Sequence, residues 1–377
     1  MDERLADELI ASGDLTSEWR PSFLAVPRVQ FIPDTIWHEV DGVMRPVRRS
    51  DALDRWRELA CSEDSVVTQV DDGRPVGPGD GGDLPTSSAS QPNVVALMLT
   101  HLDVQGGERV LEIGTGTGWN AALLAHRLGA GRVTTIEVDP EVAAHARTAL
   151  QNVGLGAVTV ITGDGSRGHP PQAPYDRVIA TVGSKYLPYA WVAQTRPGGR
   201  IVAPSWALTY HGLLLALTVN EDGTAAGHFV DDVSFMMLRE QRAHRSRQVI
   251  TDADDYEQAT ITETDLHPAE VASASYALGA VIAIGTRVPD CRSDYFPPTD
   301  PGSKDGTLRL VDHRSGSWAR LRYDHDGGPP YTVRQFGPRR LWDEVEAAHQ
   351  WWVDAGRPDA DRWRFTVTPD GQRIELE

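Results

Sequence analysis

The sequence is poor in cysteine, and this shortage excludes two classes of protein. Its 377 residues include two cysteines, Cys61 and Cys291. They lie far apart and belong to no cluster with metal-ligand spacing, so the sequence predicts neither a disulfide framework nor a zinc site. We therefore expect no metal ion and a reducing, cytoplasmic environment.

Long apolar runs are also missing. No stretch approaches the roughly 20 apolar residues that a membrane-spanning helix needs. The first eight residues include five charged ones, mostly acidic, whereas a secretory signal has a basic segment followed by an apolar one. We expect a cytoplasmic protein with no membrane partner.

Basic residues are outnumbered by acidic ones. The chain has 36 lysines and arginines against 54 aspartates and glutamates, a net charge of −18. Such a surface repels a phosphate backbone, which argues against nucleic acid as a partner. Composition leaves room for a sizeable core, since 40% of the residues are apolar.

The most informative segment of the chain is a glycine-rich turn. Residues 110–113 have the apolar pattern of a buried parallel strand, and residues 121–128 have helix-forming composition. Between them lie Gly114, Gly116 and Gly118, which allow the backbone to turn sharply beside a ligand. The segment predicts a strand, a turn and a helix that hold a polar ligand.

The spacing of these glycines selects the type of ligand. It is G-x-G-x-G, whereas dinucleotide sites have G-x-G-x-x-G, and Glu112 puts a carboxylate where phosphates would lie. A second predicted strand, residues 132–139, contains Glu137, about 20 residues beyond the turn, where a carboxylate accepts both hydroxyls of a ribose. A nucleoside without phosphate and with a cationic group fits, so we predict S-adenosylmethionine as cofactor. The alternative is an ordinary strand and helix with solvent-facing acids.

A third predicted strand, residues 158–162, leads into Gly163-Asp-Gly165. At a strand end over the crevice, Asp164 can accept a hydrogen bond from an adenine amino group, although the same tripeptide is a common surface turn. The predicted cofactor-binding residues are Glu112, Gly114, Thr115, Gly116, Gly118, Glu137, Val138, Asp164 and Gly165.

Helices and strands alternate through this region. Further strands are predicted at 176–182 and 200–204, helices at 142–153 and 188–195, and a closing antiparallel pair at 213–219 and 228–238. The pattern predicts an α/β fold, a doubly wound, Rossmann-like class I S-adenosylmethionine-dependent methyltransferase core. We assign residues 1–85 to an N-terminal helical and loop extension, 86–239 to the core and 240–377 to a C-terminal α+β accessory domain.

A run of hydroxyl residues precedes an apolar helix pattern at 94–99. Ser90 has the position of a helix N-cap, and Pro92 suits the first turn. A helix N-terminus with several hydroxyls also favours a bound carboxylate. We predict Ser90 and Ser88 as catalytic residues, and which serine of 87–90 faces the substrate stays open.

Several segments in this order resemble the protein-L-isoaspartate O-methyltransferase (PIMT) family. The resemblance covers about residues 21–239 and rests on Val26-Pro-Arg28, Phe31-Ile-Pro33, Ser90-Gln-Pro92, 110–118, Gly163-Asp-Gly165 with Gly168, Pro174-Tyr-Asp176, Pro197-Gly-Gly199 and Val233-Ser-Phe235. It implies that Ser90 lies beside the substrate carboxylate. It also implies that Glu137 and Asp164 hold the adenosyl group.

The chain is longer than the repair enzymes of that family. In its enlarged form it resembles the peptide-modifying methyltransferases of graspetide and lanthipeptide biosynthetic clusters. This resemblance implies an enzyme that methylates an aspartate of a modified, cross-linked precursor peptide, after which the ester collapses to an aspartimide. The alternative is a repair-type PIMT that acts on damaged proteins. We expect a monomer.

Beyond residue 239 the sequence predicts a folded region. Residues 307–312 and 318–323 alternate like paired strands, and 363–367 with 372–376 form a last hairpin. A helix between them has Leu341, Val345, Ala348 and Trp352 on one face. The arginines at 239, 242, 245 and 247 are predicted either as a solvated face or as substrate contacts.

Overall fold

The computed structural model describes residues 3–77, 79–208, 210, 212–242, 253–272, 277–296, 305–324 and 327–377. These residues contain three β-sheets. None of the helices in these ranges combines the length and apolar character that crossing a bilayer requires. Two of the four arginines discussed above, those at 245 and 247, lie outside the described residues.

The N-terminal region contains helices and an antiparallel sheet with the strand order β2-β1-β3-β4. Its elements are α1 (Glu3–Ser12), α2 (Arg20–Ala25), β1 (Thr35–Val40), β2 (Val43–Arg48), α3 (Leu53–Ala60), β3 (Val66–Val70) and β4 (Pro85–Ala89). The prediction of a purely helical and loop extension is therefore wrong. These strands are short and mostly half-buried, so they lack the strict apolar alternation that identifies a strand in a sequence.

The hydroxyl run belongs to this sheet and is not a helix cap. Strand β4 carries Ser87 and Ala89 on its buried side, with Ser88 between them half-buried. The N-cap of the following helix is Gln91, whose side chain makes no capping hydrogen bond, while Pro92 begins the helix as predicted. Ser90 as N-cap is thus wrong by one residue. Small hydroxyl residues fit a strand as well as a cap, and composition alone does not separate the two.

The core is a doubly wound sheet, as predicted. Its elements are α4 (Pro92–Leu102), β5 (Val110–Ile113), α5 (Trp119–Leu128), β6 (Val133–Glu137), α6 (Pro140–Asn152), β7 (Thr159–Thr162), β8 (Tyr175–Ala180), α7 (Tyr189–Ala193), β9 (Thr195–Ser205), β10 (Leu213–Val219) and β11 (Ala225–Asp232). Strands β7, β6, β5, β8 and β9 are neighbours and run parallel, whereas β10 and β11 are antiparallel.

The sheet has an apolar core on each face. Leu111 and Ile113 of β5 belong to one core, and Val110 belongs to the other, which includes α2, α4 and α5. Burial on both faces explains the continuous apolar run that predicted this strand. Strand β9 begins earlier than predicted, because a register irregularity opposite β8 accommodates residues 196–199 within the strand.

The C-terminal region adds a five-stranded antiparallel sheet with the order β12-β16-β15-β14-β13. Its elements are α8 (Ala253–Gln258), β12 (Thr260–Thr264), α9 (Pro268–Ala272), α10 (Leu278–Arg287), β13 (Arg292–Phe296), β14 (Asp305–Asp312), β15 (Ser317–Asp324), β16 (Tyr331–Phe336), α11 (Leu341–Asp354), β17 (Trp363–Thr368) and β18 (Gly371–Leu376). The predicted strand pair is present as β14 and β15, and the predicted face of α11 is buried.

The last hairpin of the chain belongs to the core sheet. Strand β17 pairs antiparallel with β11, so β17 and β18 extend the core sheet to nine strands. The apolar core on this face is continuous from β5 and β8 through α10 and α11 to β17. The predicted α+β region is thus present, but its last two strands, β17 and β18, belong to the sheet of the core.

Candidate functional site

The glycine turn lies at the carboxyl end of β5, in the middle of the parallel strands. The N–H groups of Gly114 and Thr115 donate to the carbonyl of Ile136, over 2.9 and 3.1 Å. Gly114 has a φ of 91°. A Cβ on it would lie 2.6 Å from Val182 and 2.9 Å from the hydroxyl of Thr181. Because both the conformation and the space exclude a side chain, glycine is required there.

Glu112 is a fully buried carboxyl group beneath this turn, with 0% of its surface exposed. Its Oε1 accepts a hydrogen bond of 2.7 Å from the Nδ2 of Asn120, and its Oε2 has no partner among the described residues. Burial raises the pKa of Glu112 to about 7, although the nearby hydroxyl of Thr135 and the hydrogen bond from Asn120 act in the opposite direction. A buried acceptor with an unused oxygen fits a cationic group of a ligand.

Glu137, at the end of β6, is tied to the same turn. Its carboxylate accepts from the N–H of Gly116 at 2.9 Å and from the N–H of Asp139 at 3.1 Å. Burial raises the pKa of Glu137. A carboxylate has about four acceptor sites, so two remain for ribose hydroxyls. The neighbouring Val138 is 39% exposed and offers an apolar contact at the strand end.

Asp164 follows β7, the next strand of the sheet. Its carboxylate accepts from the N–H and hydroxyl of Ser166, at 2.9 and 2.7 Å. Burial by itself would raise the pKa of Asp164, but these hydrogen bonds and the nearby Arg167 lower it overall. The next residue, Gly165, packs against β5, where a Cβ would lie 2.6 Å from Ile113. Asp164 is thus a turn residue directly after the carboxyl end of β7.

The predicted cofactor-binding residues therefore lie together at the carboxyl ends of the parallel strands. Glu112, Glu137 and Asp164 come from the adjacent strands β5, β6 and β7 or directly after them. Thr115 lies in the same turn, where its hydroxyl is 2.7 Å from the hydroxyl of Thr135. Gly118 packs against Ala146 of α6.

The predicted catalytic serines lie on the opposite side of the turn. The carbonyl of Ser88 is 3.5 Å from the point where a Cβ on Gly116 would lie. Ser87 is buried, and its hydroxyl accepts from Thr68 at 3.1 Å, so it is used within the sheet. Ser88 and Ser90 are half-buried, and the described residues form no side-chain hydrogen bond with either. Their hydroxyls are thus available to a ligand.

Arg28 positions this serine segment and was not identified from the sequence. It is 5% exposed, and its guanidinium donates to the carbonyls of Ser62, Asp64 and Ala89 over 2.7–2.9 Å. Burial lowers the pKa of Arg28 to about 10. These bonds fix the end of β4 directly before Ser90. One feature of the sequence indicated that Arg28 matters: it lies among apolar residues, in a segment that carries the family resemblance.

The N-terminal sheet also forms one wall of a cavity that the sequence did not predict. The cavity has a volume of about 260 Å³ and separates this sheet from the glycine turn and helix α6. Its lining includes Trp37, Gln69, Pro75, Gly116, Thr117 and His145. A groove therefore runs along the turn, between it and strands β1 and β3.

Two of the arginines after the core hold this region together. Arg239 lies 3.1 Å from Asp72 and 3.3 Å from Asp139, and Arg242 lies 3.0 Å from Asp72. Asp139 is in turn the N-cap of α6. Both arginines therefore pair with carboxylates of the chain itself, and the alternatives of a solvated face and a substrate contact stay predictions.

Comparison with known proteins adds independent information. The profile of the family described as protein-L-isoaspartate(D-aspartate) O-methyltransferase matches residues 37–243. A protein-L-isoaspartate O-methyltransferase of Pyrococcus horikoshii is 43% identical over 135 residues, which are 36% of this chain and 61% of that protein. Less than two thirds of that relative's length is thus covered. One of Thermococcus sibiricus is 34% identical over 240 residues, which are 62% of this chain and 91% of that protein.

A solved structure is similar over the whole length of the chain. It is named protein-L-isoaspartate O-methyltransferase, and the two chains are 19% identical with a TM-score of 0.55. The comparison covers 100% of both chains. At this identity the similarity concerns the fold, and it includes the C-terminal strands.

Proposed function

This chain belongs to the protein-L-isoaspartate(D-aspartate) O-methyltransferase family, and we propose that it transfers a methyl group from S-adenosylmethionine to a side-chain or isoaspartyl carboxylate of a polypeptide. The observation that carries the proposal is the buried, half-satisfied carboxyl of Glu112 beneath the glycine turn, with Glu137 bonded to the same turn. Relatives with this name that share up to 45% identity support it.

The proposed donor site fits the charges of the ligand. Glu112 offers an acceptor to a cationic amino group, and Glu137 offers two acceptor sites to the ribose. Ser166 fixes the carboxylate of Asp164 through two hydrogen bonds, and we assign to this carboxylate the amino group of the adenine. S-adenosylmethionine supplies a methyl group on a positively charged sulfur when bound there. The residues of this chain bind and orient it.

The acceptor needs no general base. A side-chain carboxylate has a pKa near 4, so it is ionised at neutral pH and already nucleophilic. The task of the site is then orientation, which contributes up to roughly 7–11 kcal/mol when reacting groups are held in line. We assign this task to the hydroxyls of Ser88 and Ser90. Arg28 fixes their backbone through the carbonyl of Ala89.

For the substrate we propose the repair-type activity, methylation of isoaspartyl residues in damaged proteins and peptides. Relatives that are 34–45% identical to this chain carry that name. The predicted maturation of one cross-linked peptide relied on the added length of the chain. A fold of the same extent occurs in a protein named as an isoaspartyl methyltransferase, so length does not distinguish the two substrates.

A panel of short peptides tests this proposal. Each peptide would contain either isoaspartate or aspartate in the same sequence, and methyl transfer would be followed by mass spectrometry. We expect methylation of isoaspartyl peptides of several unrelated sequences and little of the aspartyl forms. Methylation of neither form, together with methylation of an ω-ester cross-linked peptide, would support the maturation role instead.

A further inference from the structure

One face of the C-terminal sheet carries arginines directly opposite one another. Arg320 of β15 pairs in register with Arg334 of β16 on one side and with Arg309 of β14 on the other. Like charges at directly opposed positions destabilise a sheet. The chain as a whole has a net charge of −18, which makes this row of cations more unusual.

The charges of this row are unevenly neutralised. Arg309 lies 2.9 Å from a carboxylate oxygen of Asp294 on β13. Arg320 and Arg334 instead have their guanidinium groups 6.0 and 4.6 Å from the ring centre of Tyr256. Among the residues that the structure describes, no carboxylate forms an ion pair with either. Two cations thus share the same aromatic ring as their partner.

These side chains line a cavity of about 400 Å³. Its walls include Tyr256, Arg320, Arg322, Asp324, Thr332 and Arg334. Tyr256 belongs to α8 and stacks on Trp318 of β15, with ring centres 6.2 Å apart and planes 10° apart. Helix α8 therefore covers one end of the arginine face and leaves a concave surface beside it.

We propose that this surface binds an acidic, extended segment of another polypeptide. Arg320 and Arg334 stand directly opposite each other, so their Cα atoms are about 4.5–5.5 Å apart. Their long side chains can reach two carboxylates at alternate positions of an extended chain, which are about 6.6–6.8 Å apart. An arginine side chain forms two parallel hydrogen bonds to one planar carboxylate. Separate acidic side chains therefore suit this surface better than a diffuse negative charge does.

The boundaries of the face favour a short peptide over a nucleic acid. Glu263 on β12 stands opposite Thr332, and Asp324 ends β15, so carboxylates border the arginines. A continuous phosphate backbone would meet these carboxylates, whereas two or three acidic side chains would not. Ile261, which is 54% exposed and opposite Arg334, offers an apolar contact for a neighbouring side chain.

The test is fluorescence anisotropy with the full-length protein and a labelled peptide that carries glutamate at alternate positions. The compared variants are Arg320→Gln/Arg334→Gln and, as a control with the same loss of charge, Arg57→Gln/Arg373→Gln on exposed surfaces elsewhere. We expect at least tenfold weaker binding for the first variant, unchanged binding for the control, and weaker binding of the native protein at higher salt.

Thermal unfolding of the same variants separates a binding role from a structural one. Because the two arginines oppose each other, the first variant should melt at the same temperature as the native protein or above it. The proposal is wrong if the variants bind equally, if a glutamine version of the peptide binds as well, or if the first variant melts much lower. Tighter binding of an oligonucleotide of equal charge would assign the face to nucleic acid. The binding assay contains no methyl donor, so its outcome does not depend on the proposed methyl transfer.

Discussion

At the scale of a single residue, burial of the Glu112 carboxyl group lowers the stability of the fold when that group is ionised. The carboxyl group is completely buried, and burial raises its pKa from 4.5 to about 7. Below pH 4.5 it is neutral in both the folded and the unfolded state. Between these values the unfolded state ionises first, so the free energy of unfolding falls as the pH rises, and the full loss is present above about pH 7.

We therefore expect Glu112→Gln to be more stable than the native protein at pH 8, by on the order of 2–3 kcal/mol, and nearly equal to it at pH 4.5. Its affinity for S-adenosylhomocysteine should fall at least tenfold, because the cationic amino group loses an ionised partner. Denaturant unfolding at both pH values and calorimetry measure the two effects. An exposed control, Glu39→Gln, should change neither. A variant that is less stable at pH 8 would contradict the burial of an ionised group.

Ser88 and Ser90 lead to a prediction about the acceptor carboxylate. Loss of one hydrogen bond to a charged group costs about 1.5–3 kcal/mol, so Ser→Ala at the residue that faces the substrate should lower kcat/KM by roughly 10–100-fold. The affinity for S-adenosylhomocysteine should stay the same. Ser50→Ala, on the exposed surface, is the matched control. If neither Ser88→Ala nor Ser90→Ala reduces kcat/KM, the carboxylate is held by other groups.

Site residues that belong to one continuous sequence motif could be predicted from the sequence. Gly114 and Glu112 belong to a continuous motif with fixed spacing. Arg28 could not be found in this way, because its three acceptors are carbonyls of a loop and a strand 34–61 residues away. Asn120 is eight residues from Glu112, and nothing in a list of letters shows that the two side chains meet.

At the scale of elements, the loop after β8 connects the site to the end of the chain. The side chain of Gln372, from β18, accepts from the N–H of Leu187 at 3.0 Å and donates to the carbonyl of Lys185 at 2.8 Å. Gln241 holds the same loop through the N–H groups of Lys185 and Tyr186, at 2.7 and 3.0 Å. The loop follows a parallel strand at its carboxyl end, where the ligand crevice lies.

Gln372→Ala should therefore disturb catalysis more than donor binding. Two backbone groups lose their partners, and we expect a several-fold lower kcat/KM for an isoaspartyl peptide with a loss of stability of about 1–2 kcal/mol. Gln350→Ala, which removes a surface bond to Asp354 on α11, is the control. Equal kinetics for both variants would show that the loop does not take part in peptide binding.

The elements most visible in the sequence were those buried on both faces. Strands β5 and β8 lie within about two residues of their predicted positions, since their apolar patterns are continuous. Helix α11 buries the four residues predicted for its apolar face, which recur with a helical period. The N-terminal sheet escaped prediction because its strands are half-buried. The position of β17 in the core sheet depends on pairing with β11 some 140 residues earlier, which no local pattern records.

At the scale of the whole molecule, the C-terminal region and the core are one packed unit on one face of the large sheet. Val281 and Ile284 of α10 and Phe365 of β17 are completely buried in the same apolar core as Leu111 of β5. Removal of residues 240–377 would uncover this core and the paired edge of β11. Exposed apolar surface and an unpaired strand edge both promote aggregation.

A chain that ends at residue 239 should consequently be insoluble or unfolded, as judged by size-exclusion chromatography and circular dichroism. Full-length protein with Arg320→Gln/Arg334→Gln should remain folded in the same assays. A soluble, cooperatively folded fragment that binds S-adenosylhomocysteine would show that the core is independent of the C-terminal region.

We propose that the carboxyl ends of β5, β6 and β7 form the binding site of the methyl donor. Calorimetry with S-adenosylhomocysteine tests it most directly, with the native protein, Glu137→Ala and the exposed control Asp222→Ala, all checked for folding by circular dichroism. We expect a one-to-one complex for the native protein and the control, and no measurable binding for Glu137→Ala. Absence of heat with the native protein, or unchanged affinity in folded Glu137→Ala, would contradict it.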